Sequence, residues 1–415
     1  MTATTDHLVE LDGPYTLAVE GGRIRRVCRD GVPLGPDLTA SFDEYARQVV
    51  RRGAVPRVIK AKVLVTGACN QRCFHCYAAA EYAKAGLDTA GLVRVFGRLH
   101  DGGVRVVQLH GGDLSVRRDL ADLLAALDRL DLFAEFFTNG TGGAWKREET
   151  FAAVGRMRYR PVVAVSLLGG TAARHDRLTG LPGAFKQALA TAHRLRGLGC
   201  PVTLAVTLTA GAAGEVGKLR TLAAALGAAL SVNAEVFSAT GGAIDTLPFE
   251  ATPAEILSAR RELFGDAEVD RVEKTCASGV LSLTVDHDGY VVGCERNTTR
   301  RFGSLLETPL RPILESAEYR EYTEAFYRRP AACDACPAEL RRHCNWCPAT
   351  PFNYGIPQAG WVDWHCATAM RRRLFWAGRA DPVPGSRPAA VGALTLPSCS
   401  ADTGCRVGLP VIIPD

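Results

Sequence analysis

The chain has 415 residues, 47% of them hydrophobic, and 49 basic against 44 acidic side chains leave a net charge of +5. That is enough chain for about two to three domains of ~100–200 residues around a sizeable core, which excludes a disordered protein. The surplus charge is spread out rather than gathered into runs, and no apolar run approaches the ~20 residues of a membrane span, so neither nucleic acid nor a membrane is an expected partner.

The first residues, "MTATTDHLVELDG", have none of the basic, apolar and small-residue regions of a signal peptide, and the expected compartment is the cytoplasm. Residues 1–60 read as an extension: a hairpin "YTLAVEGGRIRRVC" with Gly21 and Gly22 between two alternating runs, then a helical "SFDEYARQVVRR". From residue 61 the pattern becomes strand, loop, helix, repeated. "AKVLVTG" precedes a helix with Leu92, Val95, Phe96 and Leu99 on one face, and "VRVVQLH" precedes one with Leu120, Leu123, Leu124 and Leu127. "LFAEFFTNG", "PVVAVSLLG", "PVTLAVTLT" and "LSVNAEVF" continue the series, with "AFKQALATAHRLRG" and "EVGKLRTLAAALG" among the helices. Alternation of this kind over residues 61–240 predicts an α/β fold, either a parallel barrel or a doubly wound sheet.

Barrels of this type draw their reacting groups from loops at the carboxyl ends of the strands. "TGACNQRCFHCY" follows the first strand, "HGGD" the second, "TNGT" the third and "SLLGG" the fourth, while "NAEV" falls at the sixth. These clusters should converge on one face, with Glu235 near its mouth. Residues 241–275 read as a linker helix, "TPAEILSARRELF", with Pro253 in its first turn. Residues 276–378 are cysteine-rich and loop-like, with a hairpin turning at Asp288 and Gly289. Residues 379–415, rich in Pro, Gly and Ala, read as a loosely ordered tail.

Fourteen cysteines in a reducing compartment are not a disulfide framework, so clustered ones read as metal ligands or reactive thiols. Cys28 and Cys200 stand apart as small apolar packers, and Cys399 and Cys405 as thiols on the tail. The early triplet, Cys69, Cys73 and Cys76, offers three thiolates and no fourth. Structural zinc wants four ligands, and three thiolates leave a zinc a poor Lewis acid. A four-iron cluster held by three thiolates keeps one iron open to another ligand, which suits the triplet. Taken alone, the late run Cys333-x2-Cys336-x7-Cys344-x2-Cys347 reads as a zinc ribbon.

Through "CNQRCFHCY", "HGGD", "FFTNGT" and "SLLGG", residues 61–240 resemble the radical S-adenosylmethionine superfamily. The resemblance implies a partial (β/α)6 barrel in which Cys69, Cys73 and Cys76 hold a [4Fe–4S] cluster whose open iron is chelated by S-adenosylmethionine. With an electron from an external one-electron reductant, cleavage of that cofactor would yield a 5′-deoxyadenosyl radical that removes hydrogen from the substrate. Gly111, Gly112 and Asp113 would meet the methionyl amine, although the family usually has Glu then Pro where Asp113 and Leu114 stand. Ser166 matches a position that often contacts the ribose or carboxylate. Asn139 would be a further contact, and Tyr77 would flank the adenine or pack beside the cluster. His75 and His110 adjoin these motifs as orienting or packing groups.

The late cysteines, with Gly289 placed just ahead of Cys294, look like a SPASM domain, the auxiliary-cluster extension of peptide-modifying radical enzymes. The family's second group is more often spaced two, five and three, against two, seven and two here. The resemblance implies two auxiliary [4Fe–4S] clusters, one on Cys276, Cys294 and Cys347, the other on Cys333, Cys336, Cys344 and Cys366. The open corner of the first could take substrate, water, Cys399 or Cys405. "SLLGGTAARHDRLTGLPGAF" resembles a segment common among SPASM peptide maturases. The expected function is a radical enzyme that crosslinks or oxidises a ribosomally synthesised peptide. Residues 1–60 look too short for a full leader-binding domain, so leader recognition falls to a separate protein or to the barrel. The alternatives are a dehydrogenase or epimerase of a sugar or aminocyclitol, a sulfatase-maturing enzyme, or, from another class, a zinc-ribbon binding protein.

Overall fold

The computed structural model describes residues 7–35 apart from 13 and 21–22, scattered positions from 41 to 52, and residues 58–379 apart from 238, 241–244, 266–277, 328–329, 342 and 348–357. Near the N-terminus, β1 (His7–Asp12), β2 (Tyr15–Glu20), β3 (Arg23–Arg29) and β4 (Val32–Pro33) pair in sequence order as an antiparallel sheet. The expected hairpin is β2–β3, in register from Tyr15 opposite Arg29 to Glu20 opposite Arg23, while Gly21 and Gly22 lie outside the described residues. Strands β1 and β4 go beyond the expectation; six residues and two carry too little alternation to be read alone.

The second sheet is built from β5 (Lys60–Thr66), β6 (Val106–Gly111), β7 (Phe133–Thr138), β8 (Val162–Ser166), β9 (Val202–Thr207) and β10 (Ala229–Asn233). Each strand pairs in parallel with its sequence neighbour. The crossovers are α1 (Thr89–Asp101), α2 (Leu120–Arg129), α3 (Glu148–Arg156), the pair α4 (Ala172–Thr179) and α5 (Ala184–Gly197), and α6 (Glu215–Leu226). Leu92, Val95, Phe96 and Leu99 of α1, and Leu120, Leu123, Leu124 and Leu127 of α2, are buried against the sheet as the helical period requires.

Strand parity decides what faces the helices. Ala61, Val63, Val65, Val107, Leu109, Ala134, Phe136, Val163, Val165 and Leu204 join the core under the helices. Successive side chains alternate faces, so Lys60, Lys62, Gln108, His110, Glu135, Phe137, Ala164 and Ser166 line the inner wall.

Helix α7 (Pro253–Phe264) starts with Pro253 in its first turn and a capping box between Thr252 and Glu255, as its sequence announces. Three further strands, β11 (Ser282–Val285), β12 (Tyr290–Cys294) and β13 (Asn297–Ser304), do not form a sheet of their own. β11 pairs in parallel with β5, from Ser282 opposite Lys60 to Val285 opposite Val63, and β12 and β13 follow antiparallel. A nine-stranded sheet results, ordered β10-β9-β8-β7-β6-β5-β11-β12-β13. The hairpin satisfies the backbone groups that β5 would otherwise leave at an open edge.

The loop-like reading of residues 276–378 needs correction. This stretch also holds α8 (Leu310–Glu315), α9 (Ala317–Tyr327), α10 (Ala338–Arg341) and α11 (Trp361–Ala377). In α11 the apolar stripe is interrupted because Arg372 and Arg373 are buried on it, paired with Glu235 and Glu339 at 2.7 Å each. Charged residues on a core face erase the period by which a helix is read.

Candidate functional site

Strand β5 ends at Thr66, and the next residue must be glycine: a Cβ on Gly67 would stand 1.7 Å from the Glu81 carbonyl oxygen. The loop that follows carries Cys69, Cys73 and Cys76, with Cys76 N donating to Cys73 O at 3.1 Å. The end of β6 is clamped onto its start. Gly112 N donates to Thr66 O at 2.7 Å and Asp113 N to Ala68 O at 2.9 Å. A Cβ on Gly112 would fall 2.2 Å from the carbonyl oxygens of both Gly67 and Ala68, and Gly111 sits at a φ of +140°. The two glycines are therefore a requirement of close backbone approach.

Asp113 is buried, and its carboxylate accepts from Ser115 N at 2.9 Å, the Ser115 hydroxyl, Thr138 Oγ1 at 3.1 Å and Asn139 N at 2.5 Å. Burial pushes its pKa up against these hydrogen bonds. Asp113 thus ties β6 to β7. Asn139, also buried, accepts through Oδ1 from Thr141 N and Thr141 Oγ1 at 2.8 Å each, and donates through Nδ2 to Asn70 Oδ1 at 2.9 Å and to Cys69 Sγ at 3.7 Å. Ser166 is half-buried at the carboxyl end of β8, on the inner wall. Tyr77 turns toward the same wall: its hydroxyl lies 3.4 Å from His110 Nδ1, which also accepts from Gly111 N at 2.9 Å. Burial lowers the pKa of His110 to about 4, and likewise that of His75, so both imidazoles are neutral at pH 7.

The three thiols are also held neutral. Burial, then the nearby Asp113 charge, raises Cys69 to about 11; burial and its cysteine neighbours raise Cys73, and burial raises Cys76. Thiols so placed become thiolates only around a compensating metal charge. Three thiols on one short loop, held neutral by burial and with no fourth beside them in sequence, are a donor set suited to a four-iron cluster that keeps one iron open to another ligand.

Strand β12 runs antiparallel to β11 and β5, so Cys294 at its end stands at the opposite end of the sheet from the triplet. Next to it the inner wall carries charge that sequence reading missed. Lys62 on β5 pairs with Glu295 at 2.6 Å, and the Arg296 guanidinium lies 3.2 Å from the Phe237 ring centroid. Burial alone would raise the Glu295 pKa, yet Lys62 and then Arg296 hold its carboxyl well below the usual range. The signal available was Lys62, a charge inside an otherwise apolar parallel strand.

The late cysteines fall into two groups. Cys294 and Cys347 both lie near enough to Arg296 for their charges to stabilise it. Burial, followed by the neighbouring Cys344, Cys336 and Cys333, raises Cys366 to about 11, which brings those four together. Arg341 fixes the Cys333–Cys336 turn by donating to the carbonyls of Cys333, Asp334 and Cys336 at 3.1, 2.8 and 3.2 Å. The eleven described cysteines are all unbridged, whereas Cys276, Cys399 and Cys405 lie outside the described residues. Glu235 is engaged by Arg372 of α11 at 2.7 Å. No described helix is long and apolar enough to cross a membrane.

Residues 63–215 match the radical SAM superfamily, and residues 276–337 match SPASM, an iron–sulfur cluster-binding domain. PqqA peptide cyclase of Methylobacterium sp. (strain 4-46) is 34% identical over 176 residues, 42% of this chain and 45% of that protein. The sporulation killing factor maturation protein SkfB of Bacillus subtilis (strain 168) is 28% identical over 276 residues, 62% of this chain and 63% of that one. The chain thus spans less than two thirds of the length of these two relatives. In solved structures, Streptococcus suis SuiB bound to S-adenosylmethionine superposes with a TM-score of 0.59 at 13% identity, over 75% of this chain and 77% of that chain. AnSMEcpe with bound AdoMet gives 0.57 at 13%, over 76% and 96%. At such identity the likeness is one of fold.

Proposed function

We propose that this chain, whose residues 63–215 match the radical S-adenosylmethionine superfamily and whose residues 276–337 match the SPASM iron–sulfur domain, is a radical enzyme that crosslinks or oxidises a ribosomally synthesised peptide in the cytoplasm. The observation that carries this reading is the placement of thiols at both ends of one inner wall: Cys69, Cys73 and Cys76 beyond the carboxyl end of β5, Cys294 beside its amino end. PqqA peptide cyclase and SkfB, whose names describe work on a peptide and maturation of a killing factor, support the substrate class.

We assign the [4Fe–4S] cluster to Cys69, Cys73 and Cys76, one auxiliary cluster to Cys276, Cys294 and Cys347, and the other to Cys333, Cys336, Cys344 and Cys366. Once bound, the first cluster and S-adenosylmethionine supply, with one electron from an external reductant, a radical that removes a hydrogen atom from the peptide. The Gly111–Gly112 backbone edge would meet the methionyl amine, and Asp113, its carboxylate spent on Ser115, Thr138 and Asn139, holds that edge in place. Ser166 and Tyr77 complete the cofactor's surroundings from β8 and from the end of the cysteine loop. Closing a crosslink removes two hydrogens in all, one as an atom and the other as a proton and an electron, and an auxiliary cluster held by the late cysteines would supply the acceptor for that electron. Lys62, Glu295 and Arg296 give the wall between the two ends its charge, with the neutral His110 imidazole beside them. A separate leader-binding protein, or the barrel itself, delivers the peptide.

Co-expression with a short peptide encoded beside this chain, followed by mass spectrometry, tests the reading. The expected product is lighter by two hydrogens per crosslink. Replacing Cys69, Cys73 and Cys76 by Ala should abolish both that product and reductive formation of 5′-deoxyadenosine; persistence of either removes the triplet from the reaction.

A further inference from the structure

The sulfurs of the triplet are not treated alike by the protein around them. Cys69 Sγ accepts from Gln71 N at 3.4 Å and from the Asn139 side-chain amide at 3.7 Å. That amide is aimed at the sulfur because its other groups are taken: Oδ1 holds Thr141 N and Thr141 Oγ1, and Nδ2 shares its protons between Asn70 Oδ1 and the sulfur. Cys73 faces the carbonyl oxygen of the Gln71 side chain at 3.6 Å, an acceptor rather than a donor once the thiol is ionised.

We propose that Asn139 is a positioning residue that sets the reduction potential of the cluster at Cys69, Cys73 and Cys76, through an N–H···S bond to the Cys69 thiolate. The inference rests on the cluster reading above and deepens it. Hydrogen bonds to cluster sulfurs withdraw negative charge, so they favour the form that has gained one electron and move the potential to less negative values. The redox change is the transfer of one electron from the external reductant to the cluster, with no bond formed or broken. Asn139 accordingly serves the sulfur side of the site, and its role there is separate from any contact with the nucleoside.

The test is a potentiometric titration with dithionite, followed by electron paramagnetic resonance, on the full chain loaded anaerobically with iron and sulfide, without S-adenosylmethionine. The signal of interest is the one that Cys69→Ala removes. Asn139→Asp keeps the acceptor for Thr141 but replaces the donor with a charge, and Asn139→Ser removes the donor to Cys69 without adding a charge. Each should shift the midpoint to more negative potential. Should Asn139→Asp not retain iron, Asn139→Ser carries the same measurement, since its hydroxyl still reaches Thr141 N but falls short of Cys69. Midpoints equal to that of the unaltered protein, at equal iron content, overturn the proposal while leaving the cluster assignment standing. Absence of any signal that Cys69→Ala removes overturns both.

Discussion

Gly112 shows how a residue chosen for its missing side chain can decide a site. Two carbonyl oxygens, those of Gly67 and Ala68, occupy the space its Cβ would need, at 2.2 Å each. Both belong to backbone that the parallel pairing of β5 with β6 fixes, so neither can retreat cheaply. Gly112→Ala should lower stability by about 1–3 kcal/mol and loosen the cysteine loop, read as a lower melting temperature of the metal-free chain and less iron retained after desalting. An unchanged melting temperature would mean the two loops are not clamped as described. The motif itself was legible in sequence. The inward commitment of Asp113 was not, because its partners Thr138 and Asn139 lie a whole β/α unit away along the chain.

At the level of elements, the strands and their crossover helices could be read because one face of each is uniformly apolar. Helix α11 could not, since it packs with Arg372 and Arg373 inward. The pair Arg372–Glu235, at 2.7 Å with each side chain about nine-tenths buried, locks α11 onto the segment leaving β10. Removing one partner of such a pair strands the other charge, which costs about 3–5 kcal/mol, whereas replacing both with apolar groups is much less harmful. Glu235→Ala should therefore destabilise strongly, and Glu235→Ala combined with Arg372→Met should recover much of the loss. Urea denaturation measures both, and additive losses would show that the pair does not act as a unit.

At the scale of the whole molecule, the β12–β13 hairpin extends the parallel sheet through β11, so the Cys69–Cys76 loop and Cys294 are carried by one continuous sheet. Protein reconstituted without oxygen should hold iron for three [4Fe–4S] clusters and absorb in the visible. Cys294→Ala should lose the iron of one cluster, still form 5′-deoxyadenosine, and fail to release the modified peptide. Zinc in the late cysteine groups with little iron would instead make them a ribbon, and the auxiliary assignment would go.

Composition and spacing by themselves determined the alternating α/β core, the three-thiolate loop and the late cysteine groups, because these depend on period and on short separations along the chain. Tertiary structure alone decided three other features: that β11 pairs with β5, that Lys62 meets Glu295 across the inner wall, and that Asn139 reaches the Cys69 sulfur. Each joins groups whose proximity is created by strand pairing and burial, and no local pattern encodes which distant residue will be waiting there.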